Sequence, residues 1–165
     1  MSWSDRIKNF MTGESPEQKM ARQAREKAEQ EAYEQSLIEA NIREAAIRTE
    51  ETKLEIALLG DKTKVDMAKN GADLSTSATA ALIDRMGASM ATKLDASRDA
   101  IILRRVEDPV KKAELQRIGL QSAEVYWARL LKETTISFTA ARLGNQRLRE
   151  IRDQLNPPKS NNPKS

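Results

Sequence analysis

The chain's capacity for chemistry rests on its charged residues, because its 165 residues include no histidine and no cysteine. Without imidazole or thiolate ligands, structural zinc, haem and iron–sulfur sites lack their usual ligands, and a Ser-His-Asp triad lacks its base. Most of the 25 Asp and Glu residues lie among Lys and Arg in helical patterns, which is typical of solvated helix faces. The six glycines are dispersed and form no phosphate-binding loop. We therefore expect a non-enzymatic protein with no catalytic residue, no cofactor, no metal and no small-molecule substrate.

A short apolar cluster near the N-terminus has the spacing of a docking helix. Trp3, Ile7, Phe10 and Met11 fall at i, i+4, i+7 and i+8, which is one face of a helix. A helix this short is marginal alone and should pack against something. It could pack against the chain's own helices, anchor on a partner subunit, or lie on a membrane surface, which its two flanking cations would favour only weakly.

The heaviest apolar residues lie in the C-terminal half, and we predict a second partner-docking segment there. Its members are Tyr126, Trp127, Leu131 and Phe138, of which the last three follow a roughly heptad-like spacing.

Charge is distributed unequally along the chain. Residues 1–75 carry 12 basic and 15 acidic side chains, for a net charge of −3, and residues 76–165 carry 16 and 10, for a net charge of +6. The most basic region is predicted to contact nucleic acid or an acidic partner surface, and its cations are Arg142, Arg147, Arg149, Arg152, Lys159 and Lys164. No aromatic residue follows Phe138 to stack on bases, so a solvated face or an acidic partner is the stronger interpretation.

The elements that would position these residues are long helices. Ser15, Pro16 and Gln18 form a capping-box start, and no Pro or Gly interrupts the pattern before Gly60, which is expected to end the helix. This segment is predicted as 14–60, and its uninterrupted helix of about 44 residues, from Pro16 to Leu59, would be roughly 66 Å long. Its second half carries a heptad-like seam, and the positions of that seam are Ile38, Ile42, Ala45, Thr49, Thr52, Ile56 and Leu59.

The remaining chain is divided by its turn signals into a linker or short helix over 61–76, a two-helix region over 77–155, and a flexible tail over 156–165. Asn70 and Gly71 indicate a turn or helix end. Asp108 and Pro109 separate the two helices, 77–107 and 109–155; a kink or break at Gly144 is left open. The first of these helices carries a core or interface stripe at Ile83, Met86, Met90, Leu94, Ser97 and Ile101.

Together these patterns predict an all-α fold: an elongated helical bundle or coiled-coil-like hairpin with one very long helix and a short N-terminal amphipathic helix. The longest uncharged stretch, 74–83, is about half the length that a bilayer helix needs, and the N-terminus has no apolar signal region. We expect neither a transmembrane span nor a signal peptide.

The chain resembles the smaller internal virion proteins of short-tailed bacteriophages. The resemblance rests on Trp3, the run AREKAEQEA at 24–32, the small-residue stretch at 74–92 and the basic helix RLREIRDQL at 147–155. It implies a protein that lines the portal and is ejected with the DNA, located in the virion or the host cytoplasm. Homo-oligomers or other virion proteins are the expected partners. The alternatives are a nucleic-acid-binding accessory protein that uses the basic C-terminal helix, and a peripheral membrane protein.

Overall fold

The computed structural model describes residues 2–4, 6–7, 13–71 and 78–157. Within them four helices are assigned over their full length: α1 (Pro16–Lys69), α2 (Ala78–Arg105), α3 (Pro109–Leu130) and α4 (Phe138–Leu155). The same residues contain no β-strand. The prediction of an all-α chain with one very long helix is therefore confirmed.

Two helix starts form as their capping residues predict. Ser15 accepts a hydrogen bond from the backbone N of Gln18 at 3.2 Å, and the Gln18 side chain accepts one from the Ser15 backbone N at 2.9 Å. At the start of α3 the Asp108 carboxylate accepts from the Val110 backbone N at 3.0 Å. Each cap satisfies backbone donors that have no partner within the helix.

Gly60 does not end α1, so the predicted boundaries 14–60 and 61–76 are wrong. The helix continues to Lys69 because Gly60 lies where α1 crosses α2, and a Cβ built on it would stand 3.6 Å from Ile83. Gly71, the second residue after the true end, has the left-handed φ of +86° that favours glycine. Residues 72–77, the rest of the predicted linker, lie outside the described residues.

The predicted helix 109–155 is two helices, and the break does not fall at Gly144. Residues 131–137 form a turn, after which Ser137 caps α4 by accepting a hydrogen bond from the Ala140 backbone N at 3.2 Å. Gly144 is buried in the middle of α4, where a Cβ would approach Trp127 and Leu131 to 3.0 Å. Its role is close helix packing. The helix ends at Leu155, as the following Asn-Pro sequence predicts.

Two compact units divide the chain within α1, over residues 1–40 and 41–165. In the first unit the described side chains are largely exposed. Ion pairs lie along the surface of the helix, for example Arg22 and Glu26 at 3.0 Å. The second unit contains the core. Its buried apolar side chains are Ile42, Ala46, Leu115, Ala123, Trp127, Ala140, Leu148 and Ile151.

The helices of the second unit approach one another closely where a glycine faces a neighbour. A Cβ on Gly87 of α2 would lie 3.5 Å from Ile56 of α1, and one on Gly119 of α3 would lie 3.5 Å from Ile42 of α1. Because Gly60 faces Ile83 while Ile56 faces Gly87, α1 and α2 run antiparallel.

Candidate functional site: a buried charge network and exposed helix surfaces

The centre of the second unit is an ionised side chain rather than an apolar one. Glu50 of α1 is fully buried, and its carboxylate accepts hydrogen bonds from Arg147 Nε at 3.0 Å and Arg147 Nη2 at 2.6 Å. The indole Nε1 of Trp127 donates to the same carboxylate at 2.9 Å. This bidentate contact is the geometry in which an arginine–carboxylate pair is strongest. Glu50 thereby ties α1 to both α3 and α4.

The pKa values of Glu50 and Arg147 are both shifted in the direction that favours the charged form. Burial by itself raises the pKa of Glu50, but the hydrogen bonds and charge of Arg147, with the charge of Lys53, outweigh it and hold the pKa below its usual value. Burial likewise lowers the pKa of Arg147, and Glu50 and Glu150 together reverse that effect and raise it. A carboxylate with a lowered pKa is a poor proton donor at neutral pH. The pair therefore acts as a fixed electrostatic contact.

A second branch of the network reaches α2 through Lys53, which is almost completely buried. Its Nζ lies 3.6 Å from Glu50 Oε1 and donates to both oxygens of Asp95, at 2.8 and 2.9 Å. Asp95 in turn lies 3.5 Å from Nη1 of Arg98. Among the buried side-chain nitrogen and oxygen atoms of the described residues, every one has a hydrogen-bond partner.

These contacts line one wall of an open groove of about 570 Å³ among α1, α2 and α4. Two more polar links tie its helices together, namely Lys64 to Asp84 at 2.6 Å and Thr139 to Asp61. Because Lys53, Lys64 and Arg147 in this groove are each paired with a carboxylate, the groove's main effect is to fix how the three helices lie against each other.

A more apolar groove of about 560 Å³ lies between α1 and α3. Tyr126 lies in it, where burial and the nearby Glu51 and Glu50 carboxylates raise the pKa of its hydroxyl. Its apolar lining consists of Ile47, Ile118, Val125, Tyr126 and Leu130.

The structure separates the predicted partner-docking residues. Phe138 is 81% exposed, and Tyr126 and Leu131 are partly buried against the core. Trp127 is fully buried and bonded to Glu50. Its assignment to a docking surface is therefore wrong, because the chain's own core occupies it.

In the N-terminal set, Trp3 is 78% and Ile7 38% exposed, whereas Phe10 and Met11 lie outside the described residues.

The predicted basic cluster is also divided between exposed and buried residues. Arg142, Arg149 and Arg152 are exposed on α4, and Arg152 lies 3.9 Å from Glu124. Arg147 points inward to Glu50, so its assignment as a nucleic-acid or partner contact is wrong. Lys159 and Lys164 lie outside the described residues.

The clearest exposed apolar surface lies on α2 and the adjoining side of α1. Met86 is nine residues from Asp95, and Leu59 is nine residues from Glu50, which is two and a half helical turns. Both therefore point away from the buried network. We call this surface the outer face, and its large apolar residues, each 51–63% exposed, are Leu59, Leu82, Met86, Met90 and Ile101.

Sequence reasoning found part of this surface and missed the network. The α2 stripe was predicted as core or interface, and the structure leaves Met86, Met90 and Ile101 of it exposed. The buried face of α1 continues from Ile42 through Glu50 to Lys53 at helical spacing. Glu50 and Lys53 continue a stripe that is otherwise apolar. That pattern in the sequence could have indicated that the two charges are buried.

Comparisons with protein-family models, curated proteins and solved structures found no match to the chain. In the part of the chain that the structure describes, no helix combines the length and apolar content needed to cross a membrane. The same residues hold no group of three or more side chains placed to bind a metal ion.

Proposed function

We propose that the chain is a non-enzymatic structural protein that works by helix packing within a multi-subunit assembly. The outer face carries this proposal, because it leaves five large apolar side chains more than half exposed. An apolar patch of this kind, rimmed by charged residues, is typical of a protein interaction surface. The buried network supports the same reading, since its charges are used to hold helices together.

In more detail, the helices of the second unit would form a bundle whose helix contacts resemble those of a coiled coil. Partner subunits would complete the apolar core of this bundle. The proposed setting is a bacteriophage virion, with other copies or other virion proteins as partners and the chain in the virion or the host cytoplasm. The compositional resemblance to small internal virion proteins supports this setting.

The test is native purification of the full chain followed by sedimentation and native mass spectrometry. The proposal expects a particle of fixed stoichiometry whose apparent size falls on dilution, because mass action governs such contacts. A chain that remains monomeric at every concentration, and enters no particle in its native source, would refute it.

A second candidate function is nucleic-acid binding, favoured by the three exposed arginines of α4. Arg142, Arg149 and Arg152 are seven and three residues apart and share one helix face. Binding through them should weaken steeply with salt and be lost when all three become Glu. The matched control is Arg22→Glu together with Arg25→Glu in α1, which should leave binding intact. Equal loss in both variants, or unchanged binding in the triple variant, argues against this function.

A further inference from the structure

We propose that the outer face pairs two copies of this chain about a twofold axis parallel to α1 and α2, with α1 of each copy lying over α2 of the other. This inference rests on the proposed function and names its first partner, a second copy.

The apolar residues of the outer face lie at matching levels. Gly60 faces Ile83 across the antiparallel pair, and Ile56 faces Gly87. Counting along both helices from these contacts places Leu59 level with Asp84, in the middle of the turn of α2 that runs from Leu82 to Met86. A twofold axis parallel to the helices keeps each residue at its own level. Leu59 of one copy therefore meets the turn of the second copy's α2 that carries Leu82 and Met86.

The charged residues of α2 are sorted between its two sides. Its acidic side chains are engaged within the chain: Asp84 with Lys64, Asp95 with Lys53, and Asp99 with Arg98. The exposed side instead carries cations beside the apolar stripe, and these are Arg85, Lys93 and Arg104.

The corresponding edge of α1 has the opposite sign. Over the stretch that is level with Leu82 to Ile101, this edge exposes three acidic residues and one basic residue, for a net charge of −2; they are Glu44, Glu51, Glu55 and Arg48. By the same count, Glu51 is level with Thr92 of α2, which is next to Lys93. The outer face thus has an acidic edge on α1 and a basic edge on α2.

Two copies of a face with one acidic and one basic edge can be stacked in two ways by a twofold axis. Their charges are complementary in only one of the two. An axis parallel to the helices places acidic α1 over basic α2 in both halves, which is the self-complementary contact of a twofold dimer. An axis across the helices would place α1 over α1 and bring like charges together. A flat anionic membrane would attract the α2 edge and repel the α1 edge. The charges therefore favour a second copy in the first arrangement.

The size of the face fits a dimer that exchanges with monomer. From Leu82 to Ile101 the face is roughly 28 Å long, and two helices about 9 Å apart make it roughly 18 Å wide. The projected area is on the order of 500 Å², below the roughly 800 Å² per partner of a typical stable interface. We therefore expect a dimer that dissociates on dilution.

The experiment is sedimentation equilibrium of the full chain over a wide concentration range, with charge-reversal variants. Glu51→Lys or Lys93→Glu alone should each weaken dimerisation by about tenfold or more, and the double variant should restore it to within about threefold of wild type. Met86→Gln should weaken the dimer, whereas Met20→Gln, at a comparably exposed methionine outside the face, should not. Far-UV circular dichroism reports whether each variant is folded, and Lys93→Gln replaces Lys93→Glu if that chain unfolds.

A wild-type chain that is monomeric at all concentrations overturns the dimer. An oligomer that ignores both charge reversals, or that the double variant does not rescue, overturns this arrangement while leaving assembly by another surface, and so the proposed function, in place. Flotation of the intact chain on anionic vesicles, lost in Lys93→Glu and unaffected by Glu51→Lys, would replace the second copy with a membrane and also overturn the proposal.

Discussion

The sharpest test of the fold is the substitution Glu50→Gln. The change keeps the shape of the side chain and its ability to accept from Trp127 at 2.9 Å, but it removes the negative charge that faces Arg147 and Lys53. Both cations are largely buried, with 13% and 4% of their side chains exposed. Removing one partner of a buried ion pair costs about 3–5 kcal/mol. Glu150, 2.5 Å from Arg147, and Asp95 remain as partners, so we expect about 3 kcal/mol, at the lower end of that range.

The measurement is urea unfolding followed by circular dichroism, with Glu44→Gln as the matched control. Glu44 pairs with Arg48 on the exposed side of the same helix, and an exposed i,i+4 pair contributes only about 0.3–0.5 kcal/mol. The variant Arg147→Met should be similarly destabilised. The double variant Glu50→Gln/Arg147→Met should cost clearly less than the sum of the two, because neither charge is then left without its counterpart. Equal effects of Glu50→Gln and Glu44→Gln, or additive costs in the double variant, would refute the assignment.

The stability of Glu50→Gln should also depend on pH differently from that of wild type. Because the folded pKa of Glu50 lies below its value of about 4.5 in the unfolded chain, its contribution is complete above that pH and is lost as the pH falls through the folded pKa. Wild type should therefore lose stability more steeply than Glu50→Gln below about pH 4.5. Parallel curves for the two chains would contradict the lowered pKa.

Four further substitutions test the glycines and caps by the same unfolding assay. Gly87→Ala should stabilise the chain by up to about 1 kcal/mol, because its Cβ meets only an ordinary contact and alanine favours helix. Gly144→Ala should be less stable than Gly87→Ala by about 1–3 kcal/mol, since its Cβ would crowd Trp127 at 3.0 Å; the reverse order would contradict the packing. Gly71→Ala should cost about 1 kcal/mol because of its φ of +86°, and Asp108→Ala about 1 kcal/mol through the lost cap. No loss in either of the last two variants would count against that helix end.

Features set by neighbouring residues could be predicted from the sequence. The capping box at Ser15 and the cap at Asp108 formed as predicted, because each depends on residues two or three positions apart. Gly60 was predicted wrongly because a helix-ending glycine and a helix-crossing glycine look alike until the neighbouring helix is known. The break at 131–137 was missed because an apolar spacing appeared to continue across it.

The candidate site could be predicted only in part, for a related reason. Trp127 and Arg147 have the residue types of an interface anchor and a phosphate contact. Their actual partner is Glu50, in a helix far away along the chain, and no local pattern reveals that pairing. Arg142 and Arg149, whose neighbours are solvent, were predicted as exposed cations and lie exposed. The sequence thus identifies surface charge more readily than buried charge.

The buried network and the outer face depend on one register between α1 and α2. Lys53 and Lys64 bind Asp95 and Asp84, and these contacts prevent α2 from sliding along α1 by a turn. They also keep the acidic groups of α2 on the inner side, so that its exposed side carries cations. Buried ion pairs often add little net stability, and in some proteins they select one arrangement among several. In this chain the selected arrangement is the one that sets Leu59 level with the turn of α2 between Leu82 and Met86, so the inner contacts determine the pattern that the outer face offers to a partner.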